Sequence, residues 1–239
     1  MATEALEQLL VVQDHDTRAT QLRTRRRNLP ERTEATEVAS ALADADARWA
    51  VLDTERHRLD RDQTRLDDEI ASLRAKLDHA DKAMYSGAVT NPRELQALQE
   101  EAASHTRHIG QLEDQELEIM VEREPVDEEI AQVEARQAEL RAQAEDVAAR
   151  LTVAEAEVDA ELATVEAERV AAASEVPEAL LAEYEGLRES MGGVGAARLE
   201  HGTCQGCHMK LSAVEQDRIK GLPEDATIHC EDCGRLLVR

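Results

Sequence analysis

The chain has 239 residues, of which 33% are charged, yet it contains only one Trp, two Tyr and no Phe. Its formal net charge is −24. So little bulky apolar volume excludes a large globular core, and so much negative charge disfavours nucleic acid or an anionic membrane as the partner of most of the surface. This composition is typical of long helices and coiled coils.

No apolar run in the sequence is long enough to cross a membrane, and the first residues lack the basic and apolar parts of a signal peptide. We therefore expect no membrane association and a cytoplasmic location. Thiols stay reduced in the cytoplasm, where paired cysteines more often bind metal than form structural disulfides.

A heptad pattern marks the first helical arm. From Val38 to Met84 every third or fourth residue is apolar, with Arg56 and Gln63 as the exceptions. Such a pattern indicates a coiled-coil seam, and we interpret the two polar positions as devices that set its register.

The segment from Tyr85 to Glu94 ends the first arm and starts a second one. Gly87 suits positive φ, Asn91 suits a helix cap, and Pro92 suits the first position of a helix. We predict a tight turn between two antiparallel helices, with this turn as the tip.

The second arm repeats the seam from Leu95 to Val158. In an antiparallel hairpin, facing positions have numbers with a constant sum. Seam positions such as Ile70 and Ile109 add to 179, and those of the alternate layers, such as Leu66 and Leu112, add to 178. The short turn and the matched lengths favour an intramolecular hairpin over a parallel dimer. Pro125 lies inside this arm, which we expect to continue as a bent helix.

The seam is weakest where residues 24–31 would face residues 147–154. We predict a break at Asn28-Leu29-Pro30, which would leave an apolar patch open to a partner helix; local repacking is the alternative. The patch comprises Leu22, Leu29, Val147 and Leu151. N-terminal to the break, the seam is predicted at Leu6, Leu10, Gln13, Thr17 and Thr20.

The only basic run, Arg23 to Arg27, also lies near the break. A nucleic-acid site is one interpretation of it. The hairpin register favours ion pairs instead, with carboxylates at Glu155, Glu157, Asp159 and Glu161.

The C-terminal part contains all four cysteines of the chain, Cys204, Cys207, Cys230 and Cys233, as two CxxC pairs. Two such turns can aim four thiolates at one tetrahedral ion, so we predict a single structural Zn²⁺. Strand-like residues flank the second pair, as in a zinc ribbon, and Ser212 to Glu215 forms a capping box for a short helix. The nearby histidines are not expected to be ligands, because four cysteines fill the shell.

Nucleic-acid binding by this ribbon is the alternative function. From Arg198 onward there are six Lys and Arg against seven Asp and Glu, and no aromatic side chain. Stacking on bases is therefore not supported. Lys210, Arg218 and Lys220 are the candidates for a small basic patch.

Together these segments resemble a bacterial family of C4-type zinc-ribbon proteins with an N-terminal coiled-coil hairpin. The matching segments are "YSGAVTNPRELQALQEE" (85–101), "VPEALLAEYEGLR" (176–188), "CQGCHMKL" and "CEDCGRLL". The excess of arginine over lysine suits an actinobacterial member. The resemblance implies a kinked hairpin with a zinc ribbon, no enzymatic activity, and chaperone-like or adaptor roles known from flagellar or type III secretion.

We therefore predict a mainly α protein that consists of a hairpin (1–175), a connecting helix (176–191) and a C4 zinc ribbon (192–239). It is expected to be a monomer or weak dimer that binds protein partners, as a scaffold, adaptor or chaperone-like protein and not as an enzyme. The candidate partner contacts are Tyr85, Val89 and Arg93 at the tip, and Leu29 and Leu151 beside the break.

Overall fold

A computed structural model of the chain describes residues 2–87, 89–223 and 226–239. Ala88 of the predicted tip, and Glu224 and Asp225 of the predicted ribbon, lie outside the described residues. The helices are α1 (Ala2–Arg27), α2 (Pro30–Tyr85), α3 (Pro92–Ser174), α4 (Glu178–Ser190) and α5 (Ala213–Lys220). The strands are β1 (Ala196–Glu200), β2 (Thr203–Cys204), β3 (Ile228–His229) and β4 (Leu236–Val238).

The chain forms two compact units. One, here called the tip unit, comprises residues 35–146, and the other, the ribbon unit, combines residues 1–34 with 147–239. Within the described residues, no helix is long and apolar enough to span a bilayer. The predicted limits of the hairpin, connecting helix and ribbon stay a prediction.

In the tip unit, α2 and α3 pack as the predicted antiparallel hairpin. Every predicted seam position between 38 and 140 is buried or half-buried, and the best-packed cluster is Leu66, Ile70, Leu73, Ile109 and Leu112. Polar contacts between the two helices fit the same pairing: Arg74 reaches Glu113 at 2.6 Å, and Gln137 donates to Asp46 at 2.8 Å. The fold prediction is confirmed, and α3 continues through Pro125 without interruption.

The turn between these helices is built as predicted. Gly87 has a φ of 76°, which glycine adopts at no steric cost. The backbone N–H of Arg93 donates to the side-chain oxygen of Asn91 at 3.0 Å, and Pro92 is the first residue of α3. Asn91 therefore caps α3.

The predicted break is present, since α1 ends at Arg27 and α2 begins at Pro30. The predicted open patch beside it is wrong. Leu29 is 5% exposed and Val147 is 1% exposed, while Leu151 packs, half-buried, against a cluster that contains Leu29. The interruption lets α1 turn an apolar face onto α3, so Leu29 and Leu151 offer little free surface to a partner.

The predicted seam of α1 is confirmed in part. Leu6 and Gln13 are buried and Leu10 and Thr17 are half-buried, whereas Thr20 is exposed. The most deeply buried apolar residues of the helix lie one or two positions away from this seam, at Leu9, Val12, Ala19 and Leu22. The two residues between α1 and α2 reset the rotation of α1, so the pattern of the longer arm does not extend across the break.

Ion pairs hold the basic run against α3, as predicted. Arg26 binds Asp159 at 2.7 Å, and Arg25 lies 3.6 Å from Glu161. Arg23 pairs with Glu166 at 2.6 Å, beyond the predicted carboxylates. These side chains are largely exposed, so solvent screening leaves each pair only a small contribution to stability.

The helical base of the ribbon unit is organised around Tyr184 of α4, which is fully buried with Leu9, Val12 and Leu236. Its hydroxyl donates to the carboxylate of Asp16 at 2.7 Å. Burial, followed by that hydrogen bond, raises the pKa of Tyr184, so the phenol remains a donor. Asp16 also accepts a hydrogen bond from Arg169 of α3 at 3.1 Å.

Gln13 of α1 connects this base to the strand that follows. Its carbonyl oxygen accepts hydrogen bonds from the N–H groups of Gly195 at 2.7 Å and Ala196 at 3.3 Å. Its amide donates to the carbonyl of Gly193 at 3.1 Å and to the hydroxyl of Thr17 at 3.0 Å. One buried side chain therefore satisfies three backbone groups where the chain enters β1.

We expect Gln13→Ala to lower the local opening free energy of residues 193–197 by about 2 to 4 kcal/mol, because it leaves buried donors and an acceptor unpaired. Native-state hydrogen exchange of that segment measures the effect. Gln21→Ala, at an exposed position of the same helix, is the matched control. Equal exchange rates in the two variants would contradict the assigned role.

Candidate metal centre

The four strands form one sheet in the order β2-β1-β4-β3. β1 pairs in parallel with β4, so Ala196 lies beside Leu236 and Ala197 beside Leu237. Because neighbouring residues of a strand point to opposite faces, Ala196 and Leu236 pack with Tyr184, while Ala197 and Leu237 face the ribbon's own core. The sheet thereby joins the helical base to the cysteine cluster.

The two CxxC turns have the same backbone geometry. In the first, the N–H of His208 donates to the carbonyl of Cys204 at 2.8 Å; in the second, Gly234 donates to Cys230 at 2.8 Å. Each leading cysteine also donates its own N–H to the carbonyl five residues further on, at 3.0 and 2.9 Å. The turns therefore present their sulfur atoms in equivalent ways.

The residue that closes each turn has positive φ, 59° at His208 and 77° at Gly234. Gly234 adopts this conformation without cost, whereas a side chain there is strained by about 1 kcal/mol. The His208 side chain is exposed, and His229 binds Glu183 at 2.9 Å. Neither histidine belongs to the candidate metal-binding group.

Four sulfur atoms meet between the turns. The Sγ atoms of Cys204, Cys207, Cys230 and Cys233 lie within 4.8 Å of one another. The Cys204–Cys233 separation is 4.0 Å and the Cys207–Cys230 separation is 3.8 Å. A tetrahedron with Zn–S bonds of about 2.3 Å has edges of about 3.8 Å, so the arrangement fits one Zn²⁺, and none of these four cysteines forms a disulfide.

Three of the thiols have pKa values shifted by their surroundings, and not all in the same direction. Burial raises the pKa of Cys204 and raises that of Cys230 to about 12. Burial acts in the same direction on Cys233, but hydrogen bonds from the backbone and side chain of Arg235 outweigh it and lower that pKa to about 7. Zinc binding must therefore displace protons from the two buried thiols.

The chemistry of this site is structural. Four protein ligands fill a tetrahedral shell and leave no position for a reactive water. The apolar core beneath the ion is small, with Leu211, Ile219, Ile228 and Leu237 as its aliphatic centre. Metal binding therefore contributes directly to the folding free energy of the ribbon.

The helix predicted from the capping box is confirmed as α5. Ser212 is its N-cap, and its hydroxyl accepts a hydrogen bond from the N–H of Glu215 at 3.2 Å. Ile219, on the opposite end of this helix, is buried in the ribbon core. The helix thus closes the apolar side of the cysteine cluster.

Two residues that support the site had no clear sequence signal. Arg235 donates to the carbonyl of Val194 at 2.9 Å and packs over Gly206, where a Cβ atom would lie 2.7 Å from its side chain. Gly195 is packed so closely that a Cβ would lie 2.7 Å from the carbonyl oxygen of Tyr184. The glycine-rich segment before β1 hinted at a close approach but not at its partner.

We expect Cys204→Ser to reduce bound zinc from about one ion per chain to a small fraction and to make the ribbon sensitive to protease, because a buried ligand of the ion is lost. Elemental analysis and limited proteolysis provide the measurements. His208→Gly is the control: it should keep its zinc and gain about 1 kcal/mol in stability by relieving positive φ. Loss of zinc in that variant would make His208 a ligand.

The zinc affinity should rise steeply with pH. Cys204 and Cys230 have raised pKa values, so both are protonated at neutral pH without metal, and binding releases at least two protons. The apparent affinity should then change by about a hundredfold or more per pH unit between pH 6 and 8. Competition with a chromophoric chelator measures it, and a change well below a hundredfold per unit would contradict the release of two protons.

Comparison with known proteins agrees with this architecture. Residues 12–192 match the CT398-like coiled coil hairpin domain, and residues 203–237 match the C4-type zinc ribbon domain. The chain is 30% identical to "Uncharacterized protein Rv2229c" of Mycobacterium tuberculosis over 97% of its own length and 94% of that protein's.

Two solved structures share the fold. A Mycobacterium smegmatis protein superposes with a TM-score of 0.92 at 25% identity, covering 99% of this chain and 98% of its own. CT398 from Chlamydia trachomatis superposes with a TM-score of 0.75 at 16% identity, with the same coverage of both chains. From the hairpin, the four-cysteine centre and these matches, the chain belongs to the CT398-like coiled-coil hairpin family and ends in a C4-type zinc ribbon.

Proposed function

We propose that this protein is a cytoplasmic, non-enzymatic adaptor that binds partner proteins through the hairpin tip and the surface of the zinc ribbon. The observation that carries this proposal is the placement of the three aromatic side chains. Tyr184 is fully buried, and the indole of Trp49 is half-buried and donates to Glu134 at 3.0 Å. Tyr85, at the end of α2, is 88% exposed.

An exposed tyrosine in a chain so poor in aromatics supports a contact role, since tyrosine and arginine are enriched among the residues that dominate protein interfaces. Arg93 is exposed at the start of α3, and Val89 lies half-buried in the turn between them. Tyr85 is the last residue of α2 and Arg93 lies in the capped first turn of α3, so both side chains project from helical backbone. Ordered contacts lose less entropy on binding.

The alternative of nucleic-acid binding by the ribbon has weaker support. Arg218 pairs with Glu215 at 2.5 Å and Lys220 with Asp217 at 3.0 Å, so two of the three candidate cations are engaged by carboxylates of α5. Lys210 is exposed. A chaperone-like role in secretion, which the family resemblance implies, stays a prediction.

To test the proposal, the full chain and its Tyr85→Ala/Arg93→Ala variant are used to capture proteins from the native lysate. We expect the amount of captured partner protein to be about tenfold lower with the variant, because truncating an interface anchor typically costs more than 1 kcal/mol of binding free energy. Val153→Ala, at another exposed apolar position, is the control. An unchanged partner set would refute a role for the tip.

The full chain, the tip variant and a Lys210→Ala variant together test nucleic-acid binding by the ribbon. Phosphate contacts predict that binding to mixed RNA and DNA weakens steeply as salt increases. Salt-dependent binding that is lost in a Lys210→Ala variant and kept in the tip variant would replace the adaptor proposal by the nucleic-acid function.

A further inference from the structure

A second apolar surface lies on α3 within the tip unit, apart from the hairpin seam. Leu117, Met120 and Val121 are 58%, 50% and 69% exposed and share one face of the helix, because they are spaced three and four residues apart. Together with Glu124 and Glu128 they line a groove of about 1100 Å³, here called the α3 groove. The seam residues Ile119 and Val126 are half-buried, so hairpin packing does not require this second stripe.

The groove has an apolar floor and an acidic rim. Between residues 111 and 130 the sequence has nine acidic residues and a single basic one, Arg123. Arg123 is already engaged by Asp60 at 2.9 Å and Asp127 at 3.0 Å. Glu124 and Glu128 form no ion pair with any residue that the structure describes. Their charge therefore remains available to a partner.

Pro125 removes one backbone donor beside the groove. Proline has no N–H, so the carbonyl of Val121 lacks the donor that an uninterrupted helix would supply four residues later. The exposed Val121 side chain therefore lies beside a local irregularity of the helix. Met120 suits such a surface because its flexible thioether adapts to different apolar shapes.

We propose that the α3 groove binds an amphipathic helix of a partner protein, with aliphatic residues on one face and Lys or Arg beside them. The apolar face would cover Leu117, Met120 and Val121, and the cations would pair with Glu124 and Glu128. A second copy of this chain fits poorly, because two acidic rims would face each other in a protein of net charge −24. This inference rests on the proposed adaptor function and names the partner class.

The test uses the full chain and a labelled 18-residue Leu/Lys peptide whose leucines recur at helical spacing, with a scrambled peptide of the same composition for comparison. We expect the patterned peptide to bind at least about tenfold more tightly than the scrambled one, as measured by fluorescence anisotropy. The Met120→Glu/Val121→Glu variant should bind the patterned peptide about tenfold more weakly, since the substitutions place charge in the apolar floor.

The matched control is Val51→Glu, which alters a 60% exposed valine of α2 in the same unit and should leave binding unchanged. Equal affinity for both peptides would show that charge alone attracts them and would overturn the proposal. Binding by the Met120→Glu/Val121→Glu variant as tight as that of the unaltered chain would also overturn it. Sedimentation that shows a dimer lost only in that variant would assign the groove to a second copy. Because Tyr85 is intact in these variants, failure here is distinguishable from failure of the tip.

Discussion

The ribbon depends on bringing four thiols within 4.8 Å of one another. Four sulfur ligands so close together repel one another as thiolates, and a small aliphatic core offsets little of this repulsion. A divalent cation is therefore needed to neutralise their charge. The paired turns meet this requirement through equivalent backbone hydrogen bonds at Cys204 and Cys230. Cys204 lies in β2 and Cys230 follows β3, the two outer strands of the sheet, and the central strands β1 and β4 carry Ala196 and Leu236 into the helical base.

That base is organised by buried polar groups with several partners each. Gln13 bonds to three backbone groups around β1, and Asp16 accepts from Tyr184 and Arg169. Buried groups of this kind are costly when one partner is lost, which makes alternative packings of α1 unfavourable. Metal binding and helix packing therefore act on opposite faces of one sheet. At Gly195, the backbone that leads into β1 packs directly against α4.

The zinc centre has no open coordination position, so the candidate functional regions of the protein are its surfaces. A tetrahedral four-cysteine shell leaves no site for a substrate, and the strong negative charge selects partners by electrostatics. Two exposed features of the tip unit suit contact with a partner, the tyrosine at the turn and the apolar stripe of α3. Each lies on helical backbone, which suits recognition of proteins.

Much of this protein follows from its sequence alone. The heptad pattern and the short turn determined the pairing of α2 with α3, because the turn length and the polar seam positions Arg56 and Gln63 favour a single register. Pro30 and Asn91 marked helix starts, and the two CxxC pairs marked the metal ligands, because these signals are local. Only the tertiary structure decided which face of α1 packs, since a two-residue break resets helix rotation. It also decided that Gln13 bonds to the backbone that leads into β1, about 180 residues away in sequence, because no local pattern encodes such a contact.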